Sequence, residues 1–170
     1  MQLLAVVVAV LAVVTVLHLF ITFGLIARFR VYQDGAALVP RDPDLPRPGE
    51  AVQSFEATTT AGTPLSAATF SSGATLVGFF TPHCGPCEQA RTRLIDDPPR
   101  LPMVAFVNGS ADDAACQRIG DALGAIAQVA YTARNESIAR AFRQAGYPTF
   151  IRVENGAVAA SSHNLRDVLA

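Results

Sequence analysis

The apolar residues of this chain follow three patterns in succession. From residue 3 to residue 26 nearly every position is Leu, Val, Ala, Ile or Phe, broken only by Thr15, His18, Thr22 and Gly24. At about 1.5 Å per residue, a helix of that length crosses a bilayer core of roughly 30 Å. A helix that is apolar on every face is not the surface helix of a globular domain. Residues 1–27 therefore read as an uncleaved transmembrane anchor that meets the lipid bilayer through residues 3–26. A cleaved signal peptide fits less well, because only Met1-Gln2 precedes the run and Ala27-Arg28-Phe29-Arg30 ends it. His18 reads as a tolerated neutral side chain rather than an intramembrane functional group. Residues 28–50 then turn polar, with Pro40, Pro43, Pro46 and Pro48 among Asp and Arg, and read as an extended, semi-rigid spacer.

Residues 51–170 alternate short apolar runs with helical periodicity, and read as one folded domain. Residues 54–58 and 63–65 flank Ala61-Gly62, a hairpin pattern. The unbroken run 75–80 suits a strand buried on both faces, as in a parallel sheet. A helix is predicted from the cysteine motif to about Ile95, stopped by Asp96-Asp97-Pro98-Pro99. A second buried strand covers 103–107. Ala115, Ile119, Leu123 and Ile126 recur at helical spacing. Residues 128–131 form a weaker strand. Asn135 is placed to cap a helix through Ala145, with Gly146 closing it. Strands 149–153 and 157–160 are joined by an Asn155-Gly156 turn, and a short helix over 165–169 ends the chain. The order is a β-hairpin followed by β-α-β-α-β-α-β-β-α. It implies an α/β domain with a mixed central sheet and helices on both faces.

Composition adds two points. A net charge of -1 over 170 residues gives no reason to expect a nucleic-acid partner. The 13 basic residues are all Arg, which reads as compositional bias.

The chemistry centres on Cys84-Gly85-Pro86-Cys87. Two intervening residues let both sulfurs meet at the first turn of a helix, as a redox disulfide. Cys84 would stand at the helix start, where unpaired amides and the positive end of the dipole favour a thiolate, the attacking species in disulfide exchange. Cys87, one turn in, could then attack the mixed disulfide. Pro86 needs no amide partner there, and Gly85 leaves the approach to Cys84 open. About 60 residues on, Tyr147-Pro148-Thr149-Phe150 opens a strand. The X-Pro bond there reads as cis, and a cis Pro beside the cysteines would leave backbone groups free for a substrate strand; a simple helix-to-strand turn is the alternative reading of Pro148. A CxxC pair also occurs in zinc sites, with Cys116 and His163 as the available second pair. His83 with the two thiolates could hold Cu(I).

Thr81-Pro82-His83-Cys84-Gly85-Pro86-Cys87, taken with Gly146-Tyr147-Pro148-Thr149, resembles the thioredoxin superfamily over roughly residues 54–170. The helix and strand over 112–131 resemble the insert of its TlpA-like branch, and the anchor-spacer-domain layout is similar to that of the MauD-like accessory proteins of methylamine dehydrogenase. The resemblance implies a thioredoxin-like fold and a membrane-anchored thiol–disulfide oxidoreductase. It makes Cys84 the nucleophile, Cys87 the resolving cysteine and Pro148 the cis-proline, with His83, Gly85, Pro86 and Thr149 in the active-site loops. The CGPC motif points to a reductant. The expected partners are a disulfide-bearing protein substrate and a membrane thiol electron donor, with no bound cofactor and no metal.

Two departures from the pattern stand out, and a peroxiredoxin-like peroxidase is the alternative to weigh. His83 occupies the position that is usually Trp. Gly78 occupies the position where many thioredoxins have a proton-transferring Asp, which leaves His83 and Glu88 as candidates. Thr81 lies three residues before Cys84, as in peroxiredoxins, but Val77 stands where those enzymes have Pro. Cys116 reads as a small buried hydrophobe. Arg28 and Arg30, taken alone, favour a cytoplasmic domain. The redox chemistry favours the extracytoplasmic face of the cell membrane, and long domains override the charge bias.

Overall fold

The two continuous apolar runs become neighbouring central strands. The computed structural model describes residues 44–132 and 136–170, with Leu11, Val14 and Thr15 from the N-terminal stretch. Those three residues are helical, and the Thr15 hydroxyl donates to the Leu11 carbonyl at 2.8 Å. The rest of the predicted anchor, and residues 28–43 of the predicted spacer, lie outside the described residues. Among the described residues no helix is long and apolar enough to cross a membrane.

The folded unit opens with a hairpin, β1 (Glu56–Thr58) and β2 (Pro64–Ser66), followed by a 3-10 turn over Ala67–Phe70. The main elements follow as β3 (Ala74–Phe80), α1 (Gly85–Asp96), β4 (Met103–Val107), α2 (Ala114–Leu123), β5 (Gln128–Tyr131), α3 (Glu136–Ala141), β6 (Thr149–Glu154), β7 (Ala157–Ser162) and α4 (Leu165–Leu169). The five-stranded sheet has the order β5-β4-β3-β6-β7. β3, β4 and β5 run parallel, while β6 and β7 are antiparallel to their neighbours. This is the mixed sheet that the element order implies.

Strand alternation divides the core between the two faces of the sheet. Val77 and Phe79 of β3, Val104 and Phe106 of β4, and Ile151 and Val153 of β6 join Phe55, Phe70, Ile138 and Phe142 on one face. Leu76 and Phe80, Ala105 and Val107, and Phe150 join Cys87, Leu94, Ile119, Leu123 and Val168 on the other. Helices α1, α2 and α4 cover this second face, so the cysteine helix is seated on the central strands. Burial on both sides is why β3 and β4 read as unbroken apolar runs.

The β6–β7 turn is as predicted. Asn155 (φ 50°) and Gly156 (φ 82°) are both left-handed, as a two-residue I′ hairpin requires. Two expectations are corrected. Helix α3 ends at Ala141, not at Ala145, and Gly146 does not close it. Arg143 takes the left-handed conformation (φ 44°), and the Gln144 amide bonds back to the Ala139 carbonyl at 2.9 Å. An ion pair from Arg143 to Glu50 at 2.8 Å holds that non-glycine residue in place. The expected cap, Asn135, lies outside the described residues. The second correction concerns residues 44–50, read as the end of the spacer. They lie against the domain, with Leu45 buried, and the Gly49 amide and Glu50 carbonyl both pair with Val158 of β7 at 2.8 Å. The proline pattern of this segment hides two backbone bonds that no side-chain periodicity reports.

Candidate active site

Helix α1 begins immediately after Cys84, whose extended backbone (φ -111°, ψ 107°) makes it the N-cap. Its sulfur accepts a hydrogen bond from the Cys87 amide at 3.2 Å, and the Glu88 amide donates to the Cys84 carbonyl at 3.1 Å. The sulfur thus occupies the place that a Ser or Asp oxygen takes at other helix starts, facing the positive end of the dipole. Pro86 sits in the first turn, as expected. Cys84 and Cys87 are joined as a disulfide with their Cα atoms 5.2 Å apart. Cys87 is buried and Cys84 only half-buried, so Cys84 is the sulfur an incoming group meets first. Gly85 faces open space, as expected: a Cβ there would touch nothing.

The loop before β6 meets this helix start. The Tyr147–Pro148 peptide bond is cis, and the Cys84 sulfur lies 3.8 Å from the Tyr147 carbonyl oxygen. Thr149 is fully buried, and its hydroxyl donates to the Gly146 carbonyl at 2.7 Å. Burial pushes the Tyr147 phenol above its ordinary pKa, against a hydrogen bond from Gln144 that lowers it. Cys84, Cys87, Pro148 and Thr149 therefore come together. His83 stands exposed at the edge in a left-handed conformation (φ 59°), which His adopts more readily than most residues.

Cys116 and His163, the second pair that a zinc reading of the CxxC motif would need, go to different places. The His163 Nδ1–H donates to the Pro148 carbonyl at 2.7 Å, and the ring lies so close to Gly146 that a Cβ there would be 3.1 Å from it. The β6–β7 register, Phe150 opposite Ser162, brings them together. Pairing of that hairpin was the one signal in the sequence that could have found this contact. Cys116 is buried in the first turn of α2, with its sulfur 3.6 Å from the Asn108 carbonyl. Burial, then the nearby Asp113 carboxylate, push its thiol pKa up, partly offset by a backbone hydrogen bond from Ser110. It remains a protonated, inert thiol at neutral pH, as a buried hydrophobe should.

Gly78 explains the missing carboxylate. It is buried in β3, opposite Ala105 and Phe150. A Cβ on it would lie 2.8 Å from Phe80 Cε2 and 2.9 Å from Met103 Cε. These two side chains fill the space an acid would need. Gly78→Asp is accordingly expected to cost about 2–4 kcal/mol, from overpacking plus an unpaired buried carboxylate. Urea denaturation measures it; a variant as stable as the parent would mean that Phe80 and Met103 move aside freely. Glu88 remains, exposed on α1 and 3.9 Å from Arg91.

No family model matches this chain, and no curated protein matches it. Solved structures do. The thioredoxin domain of a thiol-disulfide oxidoreductase from Bacteroides vulgatus is 14% identical, with a TM-score of 0.58 over 72% of this chain and 93% of that one. A thiol:disulfide interchange protein of the thioredoxin family from Chlorobium tepidum TLS is 22% identical, with a TM-score of 0.54 over 71% and 89%. A secreted disulfide oxidoreductase from Mycobacterium tuberculosis, homologous to E. coli DsbE, is 19% identical, with a TM-score of 0.52 over 68% and 87%. The fold of this chain is thioredoxin-like: a central mixed sheet flanked by helices, with a CxxC pair at the start of α1.

Proposed function

We propose that this chain is a thiol–disulfide oxidoreductase that reduces disulfides in exported proteins. The observation that carries the reading is the joint placement of three groups. A half-buried Cys84 caps a helix, a buried Cys87 lies within disulfide reach, and the backbone at Tyr147–Pro148 lies beside the Cys84 sulfur.

The cycle starts from the dithiol. The Cys84 thiolate attacks one sulfur of a substrate disulfide, that bond breaks, and the first substrate thiolate leaves. The Cys87 thiolate then attacks the Cys84 sulfur, releases the second substrate thiol and re-forms the Cys84–Cys87 disulfide. Two electrons pass to the substrate, whose two thiolates take protons from solvent, while the Cys87 thiol gives up its proton to water or to the exposed His83 or Glu88. A membrane thiol donor restores the dithiol. Anchoring through residues 3–26, an extracytoplasmic domain and a role in cytochrome or dehydrogenase maturation belong to the same reading. They rest on the apolar N-terminal run and on the resemblance to TlpA-like and MauD-like proteins.

The test is the reduction potential of the Cys84–Cys87 pair in the full chain in detergent, poised against dithiothreitol or glutathione buffers, with Cys87→Ser as control. A value near about -270 mV is expected for a dedicated reductant, whereas one near about -120 mV would mark an oxidant. Absence of any reversible two-electron couple would overturn the reading.

A further inference from the structure

A cleft of about 490 Å³ opens beside the cysteine pair, between α1 and α2. Cys84 and Cys87 form part of its lining. Arg91 of α1, Arg118 of α2 and the exposed His83 also line it, and Glu88 is the one acid among its described residues. The charges do not cancel. Glu88 approaches only Arg91, at 3.9 Å, and its own side chain is 74% exposed. Arg118 is exposed, and its side chain makes no hydrogen bond or ion pair among the described residues. The N-terminal end of α1 opens onto the same space and adds the positive end of its dipole. The chain as a whole carries -1, so the positive character belongs to this cleft and not to the molecule.

A cleft that carries an unpaired guanidinium, Arg118, beside a second arginine shared with one exposed acid binds carboxylates, and arginine presents a planar fork that matches a carboxylate's two oxygens. The α1–α2 cleft reaches Cys84 from the side of α2, so a group held there lies next to the sulfur under attack. We propose that the Arg91–Arg118 cleft selects disulfides flanked by carboxylates, so that an acidic residue beside a target cysteine is drawn to Arg118. This inference rests on the oxidoreductase reading and adds the substrate class to it. The electrons and bonds are those of the cycle above; the cleft changes only which disulfide arrives and how it is held.

The test uses the full chain in detergent with dithiothreitol as terminal reductant. Three synthetic disulfide peptides differ only in the residues flanking the disulfide: Asp and Glu, Ser and Ser, or Arg and Arg. Glutathione disulfide is a fourth substrate. The acidic peptide is expected to exceed the neutral one in kcat/KM by about five- to ten-fold at low salt, the range of a few partly screened ion pairs. That ratio should shrink towards one in about 0.5 M salt, where screening acts over a few ångströms. Arg118→Gln should lower the ratio, and Arg118→Glu should invert it in favour of the Arg peptide. Preference for the acidic peptide alone identifies a protein segment as the carboxylate source, while equal preference for glutathione disulfide adds the small thiol pool; both uphold carboxylate selection. An acidic-to-neutral ratio of one in the parent protein, or a ratio unmoved by Arg118→Gln and by salt, overturns it. If Arg118→Glu fails to fold, the parent's salt dependence and Arg118→Gln still decide. Failure to reduce even the neutral peptide would instead sink the oxidoreductase reading itself.

Discussion

Cys84→Ser is expected to abolish disulfide reduction, lowering insulin reduction by the full chain at least about 10³-fold, the scale of losing a catalytic nucleophile. A serine hydroxyl can accept the Cys87 amide hydrogen bond at the same cap, so the helix start should survive and the loss should be chemical. Cys87→Ser should behave differently. Its Cys84 can still attack, but nothing releases the mixed disulfide, so a covalent complex with substrate should accumulate and appear on a non-reducing gel. The difference follows from burial: Cys84 is half-exposed at the cleft, whereas Cys87 lies within the apolar cluster on the sheet. Activity in Cys84→Ser within ten-fold of the parent would assign the nucleophile elsewhere.

Phe142→Ala is expected to give the largest loss of stability, about 3–5 kcal/mol. Phe142 is fully buried just after α3. Its ring centroid lies 5.4 Å from that of Phe55, 5.5 Å from Phe70, 5.6 Å from Phe79 and 5.7 Å from Phe106. Removing it leaves a void among four other rings, which cannot all collapse into it because two sit on the central strands β3 and β4. For a domain of this size, that is a fall in melting temperature of roughly 10–20 °C by calorimetry. The cysteine pair rests on the opposite face of the sheet, so the reduction potential of the folded variant should stay at the parent's value. A loss below about 1 kcal/mol would mean that these rings do not form one packed cluster.

The central strands were legible because burial on both faces leaves an unbroken apolar run, and α1 was legible because Cys84 and Pro86 are good residues for a helix start. The Asn155-Gly156 turn was legible because few residues accept two successive left-handed conformations. What the sequence concealed depends on pairing between distant residues. Helix α3 carries apolar positions through Phe142 and Ala145, yet it stops at Ala141, where Arg143 turns the chain and meets Glu50. His163 has no neighbour in sequence that announces its bond to the Pro148 carbonyl. The positive cleft is assembled by packing α2 against α1, and Arg91 and Arg118 each read singly as an ordinary solvated charge.

Residues 49–52 have a consequence for the sheet's border. β7 is the last strand, and an uncovered last strand offers its free amides and carbonyls to any other chain, which invites self-association. Here the first half of that border is occupied. The Gly49 amide and Glu50 carbonyl take the two groups of Val158, the Val52 amide takes the Gly156 carbonyl, and Leu45 is buried ahead of them. At the opposite border the Thr60 amide takes the Val129 carbonyl of β5. A soluble fragment cut at residue 51 would therefore lose the segment that shields β7 and gain a sticky rim. One starting at Asp44 keeps that half closed.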